Sequence, residues 1–291
     1  GIQNEEKMQS RSWTLKLGLS CFWLTTGLFI AKEFYLYVQF YYLKFFLTHI
    51  GGPPLFQFFQ NYIVFKASLL EITILSFCFL ELLAGFYVLI YPPFRLLIGL
   101  QIFLLIPIVS YAIIDPSLWY HPFGALSKTF CIFAVLLGWR QLYIHKRETQ
   151  TRKTLLWTLS VFWIYEGIVH LSFQTPFLLN PQHPENPLDP NSILIKIFFI
   201  LGGFQIFSGI ILRPLYSSRY RRMATVLVFL HLLFLIAFDF FYLYQVFYYL
   251  YHPLGAFTKD FVIVAIYLYL LQDPLTIESK PNESITFSSR N

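Results

Sequence analysis

Glu166 and His170 stand four residues apart in an otherwise apolar run, the spacing that puts two side chains on one face of a helix. A carboxylate and an imidazole so placed can pass a proton between them, or bind a ligand oxygen. Gln205, His231 and Asp239 lie in two further apolar runs. Ionisable and amide groups are costly to keep in such runs, which makes them candidate functional positions. The remaining chemistry is written twice. WYHPFGALSKTF at 119–130 and LYHPLGAFTKDF at 250–261 agree at seven of twelve positions, 131 residues apart. These segments carry His121 with Lys128 and His252 with Lys259. Each histidine suits either proton transfer or a hydrogen bond to a loop carbonyl before its proline. Each lysine falls in the first turn of an apolar run, where the helix dipole disfavours a cation by up to about 1 kcal/mol. That placement calls either for an anionic neighbour or for a side chain that snorkels to lipid headgroups. Ser127 and Thr258, one position earlier, are read as N-caps of the helices that follow.

Glu166 with His170 also has the spacing of a two-ligand metal face, which Asp239 or His252 would complete. No second carboxylate–histidine pair of the di-iron type accompanies it, so no metal site is expected. Cys21, Cys78 and Cys131 are far apart and lie inside apolar runs, which argues for small packed side chains over a thiolate site or a disulfide framework. Nucleotide-binding loops and nucleophile elbows are absent from the sequence.

The elements that must position these groups are helices in a membrane. Of the 291 residues, 57% are hydrophobic and 12% charged, against about 45–50% and 25% in soluble domains. Eight apolar segments follow one another at 13–33, 67–91, 94–114, 126–143, 154–173, 193–212, 223–244 and 257–271. Irregular backbone cannot face lipid, so each is read as a helix, with the fourth and eighth short. With the N-terminus inside, the inner segments hold 15 of the 21 basic residues and all ten arginines. The net charge of +6 therefore reflects membrane topology, with both termini cytoplasmic, and not a nucleic-acid surface. The first span is expected to stay in the fold and not to be a cleaved signal. An aromatic stretch from Phe34 to Lys66, broken by Gly51-Gly52-Pro53-Pro54, reads as interfacial helices, and the five prolines between 176 and 190 as a stiff outer loop.

The doubled motif is one of three. LSCFWLTTGLF at 19–29 matches LSVFWIYEGIV at 159–169, and ELLAGFYVL at 81–89 matches QIFSGIILR at 205–213. Start, middle and end of a four-helix unit repeat in order, and an even number of spans makes the copies parallel in the membrane. The expected architecture is all-α: eight transmembrane helices in two four-helix bundles. Its segments are an N-terminal stretch at 1–12, units at 13–145 and 154–272 joined by a basic linker at 146–153, and a polar tail at 273–291. At about 1.5 Å per residue, Glu166, His170, Asp239, His252 and Lys259 run from the midplane to the outer surface, with Gln205 at the midplane. The first copy has Thr26 in place of Glu166, Ile30 in place of His170 and Glu81 in place of Gln205, so the second copy is read as the working half.

WIYEG at 163–167, opening a four-helix unit that closes with HPLGAFTK at 252–259, resembles the DoxX-like membrane proteins. The resemblance covers 154–271 well and 13–143 more loosely, with His170 where that family has Lys and Asp260 where it commonly has Asn. It implies a four-helix bundle used as a membrane subunit passing electrons toward quinone, as a module beside a dehydrogenase domain, or as an assembly factor. A multi-pass place in a bacterial inner membrane is expected with it. On this basis the leading expectation is a redox-associated component binding a quinone or other amphipathic ligand near the outer face of the second bundle. His252 and Lys259, with Gln205, His121 and Lys128, would bind the ligand, and Glu166, His170 and Asp239 would relay protons. Expected partners are the lipid bilayer and another membrane or oxidoreductase subunit. A non-catalytic partner or assembly factor is the alternative reading, and a small-solute transporter the third.

Overall fold

In a computed structural model of the protein, the described residues are 2–32, 73, 75–114, 125–172, 193–212, 222, 225–226, 229–233 and 257–272. Among them are eight helices and no strand: α1 Ile2–Lys32, α2 Leu75–Ile90, α3 Arg95–Ile114, α4 Ala125–Ile144, α5 Glu148–Leu171, α6 Ile193–Ile211, α7 at 229–233 and α8 Phe257–Leu271. The interfacial stretch, the proline-rich loop and the tail, together with His121, Asp239 and His252, lie outside the described residues.

Two boundaries differ from the sequence reading. The polar N-terminal stretch is not a separate segment, because α1 begins at Ile2 and runs for 31 residues. Most of the basic linker is also helical, since α5 begins at Glu148. Charged side chains there make contacts that hold a regular backbone. Glu148 accepts from Arg11 at 2.6 Å and from Arg152 at 3.1 Å, and Arg152 donates to the carbonyl oxygen of Gln272 at 2.5 Å. Gln272 in turn donates to Thr14 Oγ1 at 3.0 Å. One end of the bundle is thus laced across α1, α5 and the end of α8. Between α4 and α5 the chain turns in three residues, with Lys146 at φ 53°, a left-handed conformation that a branched or bulky residue would resist.

The helices bury polar groups and expose apolar ones. Trp23, Trp139, Trp163, Tyr267 and Tyr269 are fully buried in the middle, while Ile200, Phe130 and Val161 are 73%, 66% and 62% exposed. That distribution is the reverse of a soluble protein's and suits a surface bathed by lipid chains. By length and apolar composition α5 is able to cross a membrane, whereas the apolar parts of α2, α3 and α6 are shorter. α8 has 15 residues, about 22 Å of helix, in line with the short eighth segment read from the sequence.

Packing partners lie both within and between the two halves of the chain. α5 lies along α6, and α1 along α8; α4 touches α1, α5 and α8. The helices of one half are therefore closed by helices of the other. The α5–α6 seam depends on small residues. A Cβ on Gly167 would stand 2.6 Å from the Gly202 carbonyl oxygen and 2.5 Å from Ile206 Cγ1, and Ser160 Oγ donates to Gly209 O at 2.6 Å. Without a hydrophobic drive between helices in lipid, such close approach is what holds them together. Gly167→Ala is accordingly expected to destabilise the protein by about 1–3 kcal/mol through overpacking. Gly203→Ala, where an added Cβ meets nothing within 4 Å, is expected to leave the melting temperature in mild detergent unchanged.

Candidate functional site

The first turns of α4 and α8 come together at the end of the bundle away from Glu148, and the motif lysines meet there. Lys128 Nζ lies 2.6 Å from Asp260 Oδ1, and Lys259 Nζ donates to Thr129 Oγ1 at 2.9 Å. Thr129 and Asp260 each directly follow the lysine of their own motif, so each lysine reaches the residue after the other lysine. The exchange is reciprocal. Lys128 is 5% exposed and Lys259 fully buried, which removes the snorkelling alternative and supplies Lys128 with the carboxylate that its dipole-disfavoured position called for.

Ser127 and Thr258 are not N-caps. They lie inside α4 and α8, whose first residues are Ala125 and Phe257. Ser127 Oγ instead donates to Glu166 Oε1 at 2.5 Å, joining α4 to α5. The Thr258 hydroxyl is buried and has no hydrogen-bond partner.

His170, one turn beyond Glu166, faces a different helix. Its Nδ1 and Gln205 Oε1 are 2.7 Å apart, and Gln205 Nε2 and His231 Nε2 are 3.0 Å apart. An amide oxygen only accepts and an amide nitrogen only donates. With the amide in that orientation, His170 carries its proton on Nδ1 and donates to Gln205, which donates to His231. The ring of His231 packs 5.5 Å from that of Trp163, whose indole N–H donates to the Tyr267 hydroxyl. Glu166 and His170 share a helix face as the spacing required, but their polar atoms meet different partners on α4 and α6.

Of the expected site residues, Glu166, His170, Gln205, Lys128 and Lys259 are therefore brought into one buried polar region shared by α4, α5, α6 and α8. Asp239, His121 and His252 lie outside the described residues. Ser127, Thr129 and Tyr267 were missed as members. Position arithmetic points to two of them: Thr129 plus 131 is Asp260, and Ser127 plus 131 is Thr258.

Beside this region a groove of about 600 Å³ runs between α4 and α5. Phe130, Phe133, Leu137, Trp157 and Phe162 line it, and Ser127 forms part of its wall. Thr154 and Thr158, also in the wall, donate to carbonyls of their own helix, Gln150 O at 2.9 Å and Thr154 O at 2.8 Å. The groove is consequently largely apolar, and Ser127, the residue that bonds Glu166, forms part of its wall.

Residues 56–137 match the family model described as the DoxX-like family. The match takes in α2, α3, the first copy of the doubled motif and most of α4; it falls on the first half of the chain, not on the second, where the quoted motifs were closer. No curated protein and no solved structure matches the chain.

Removing one member of a buried ion pair strands the other, at a cost of about 3–5 kcal/mol. Lys128→Met and Asp260→Leu are each expected to lower thermal stability by that order, and the two together to recover much of the loss. Melting temperatures of the four proteins in one detergent check the cycle.

Proposed function

We propose that the protein, whose residues 56–137 match the model of the DoxX-like family, is an integral membrane component that holds an amphipathic ligand of the quinone class. The ligand's head group lies at Ser127 and Glu166 and its apolar tail along the α4–α5 groove. The observation that carries this reading is the join of an aromatic, lipid-accessible groove to a buried hydroxyl–carboxyl pair. A long isoprenoid or acyl chain fits the first, and a ring oxygen the second. A bound quinone supplies reversible chemistry of two electrons and two protons. Electrons come from a partner oxidoreductase subunit, and the residues of this chain orient the head and move protons. Glu166 exchanges a proton with a head-group oxygen through Ser127, and the His170–Gln205–His231 chain fixes the imidazole one turn behind it. Lys259, directed at Thr129, acts in this reading by positioning α4 against α8 and not by direct contact with the ligand.

The proposed architecture is two parallel four-helix units with eight spans and both termini inside, in a bacterial inner membrane. Support for the duplication comes from hydrogen bonds at matching positions. Ser20 Oγ donates to Gly85 O at 2.8 Å as Ser160 Oγ donates to Gly209 O at 2.6 Å, and the serines and glycines are those aligned in the repeated segments.

A second reading, that of a non-catalytic partner or assembly factor, is favoured by the motif lysines, since both join α4 to α8. Glu166→Gln and Phe162→Ala separate the two. Under the ligand reading, both variants lower stoichiometric recovery of a quinone in lipid extracts of the purified protein by at least tenfold while the fold persists. Extracts that contain only bulk phospholipid for wild type and variants alike overturn it. A fall in melting temperature with recovery of a partner protein lost would then favour the second reading.

A further inference from the structure

The α4–α5 and α1–α8 interfaces occupy matching places in the repeat, and they differ at the Glu148 end of the bundle. In α1–α8, Gln272 Nε2 donates to Thr14 Oγ1 at 3.0 Å, and Gly18 lets the backbones meet, since an added Cβ there would collide with Ala265. The matching residues of α4–α5 are Gln141 with Thr154, and Thr158 with Ala134. Thr154 donates instead to Gln150 O at 2.9 Å, and Gln141 Oε1 is buried with no hydrogen-bond partner. Thr158 and Ala134 are walls of the groove. One interface is therefore closed at this end and the other open. Arg140 stands beside the opening, where the closed interface has Leu271.

Local geometry brings a second arginine to the same place. Arg140 follows the wall residue Phe133 by seven positions and so shares its outward face of α4. Across the three-residue turn, the backbone N–H of Arg147 donates to Gln141 O at 3.3 Å. Arg147 Nη1 lies 3.5 Å from Oε1 of Gln150, which precedes the wall residue Trp157 by seven positions on α5. Both arginines are exposed. Glu148 is taken by Arg11 and Arg152, and Glu5 by Lys146; no ion pair among the described residues involves Arg140 or Arg147. Next to them Leu137, Ile144 and Trp157 are exposed apolar side chains. Two unpaired guanidinium groups thus stand at the polar end of an apolar, lipid-facing surface.

We propose that Arg140 and Arg147 form a headgroup site for an anionic phospholipid of the leaflet at the Glu148 end, whose acyl chains lie against Leu137, Ile144 and Trp157. The planar fork of arginine matches a phosphate. Two positive charges would repel the cation of a zwitterionic headgroup, so they favour a lipid with net negative charge. The site lies at the end of the groove away from Ser127 and does not rest on the quinone reading.

The test titrates the full chain in mild detergent with phosphatidylglycerol or phosphatidylcholine, counting bound lipid by native mass spectrometry and following melting in parallel. Wild type is expected to hold one phosphatidylglycerol per chain and to gain several degrees saturably, with no gain from phosphatidylcholine. Arg140→Leu, which matches the closed interface, and Arg147→Gln are each expected to weaken phosphatidylglycerol about fivefold, the increment of one basic side chain at an anionic surface. Lys153→Gln removes the same charge from the α6 side of α5, since Lys153 precedes Ser160 of the α5–α6 seam by seven positions, and is expected to leave binding unchanged. Equal binding of the two lipids by wild type overturns the site, as does full affinity in both arginine variants. Equal weakening by Lys153→Gln also overturns it, because the effect would then belong to the general charge of this end. A melting gain from inorganic phosphate alone overturns the lipid as occupant.

Discussion

Lys128 and Asp260 lie 2.6 Å apart between α4 and α8 with almost no exposed side chain, inside a bundle whose outer surface is apolar. Neither charge could be kept there alone, because the cost of taking a single ion from water exceeds the stability of most domains. The pair therefore fixes which helices adjoin. It requires the first turn of α4 to face that of α8, and Lys259 on Thr129 repeats the requirement in the opposite sense. With those two turns fixed, α5 is carried to α4 and α1 to α8, and the carboxyl of Glu166 reaches Ser127. Polar contact supplies the specificity that apolar side chains cannot give in a lipid environment, where there is no water to escape from.

Small residues then set how near the helices come. Gly167 against Gly202, and Ser160 against Gly209, let α5 and α6 approach closely enough for His170 to reach Gln205 across the seam. A wider spacing would break the His170–Gln205–His231 chain and cost two hydrogen bonds between buried groups. The site chemistry and the backbone packing are thus one constraint. At the other end, Arg11, Glu148 and Arg152 hold α1, α5 and α8 through charges near water, where they cost less.

Much of this was legible in the sequence, and the limits have physical causes. Composition and apolar runs located the helices because a long apolar stretch has few alternatives to a helix in lipid. The repeat located the motif lysines, and their awkward place in a helix dipole left an anionic neighbour as one of two expectations for Lys128. The polar ends of α1 and α5 escaped, because charged residues joined to a helix by tertiary ion pairs look like a loop when hydropathy alone is read. Ser127 was misread for a related reason: a serine beside a helix start is a good cap in isolation, and only the carboxyl of Glu166 on a neighbouring helix draws it away. His170 was placed on the right face, but a face covers two neighbouring helices, and the spacing cannot tell whether its partner is the one Glu166 meets.

The two halves differ most where a carboxylate changes helix. In one interface it is Glu166 beside Ser127, with the amide Gln205 on the next helix; in the other, Thr26 takes the first place and Glu81 the second. Each half therefore keeps a glutamate in its buried layer, but beside different neighbours. Glu166 has a hydroxyl at hydrogen-bonding distance and an open apolar groove alongside. Glu81 has a buried carboxylate oxygen with no hydrogen-bond partner. A carboxyl that a neighbouring hydroxyl bonds is held in one orientation, whereas one without such a partner is tolerated in a buried layer only when neutral or beside an opposite charge. Moving one acidic side chain by one helix thus changes which polar neighbours a buried carboxyl meets.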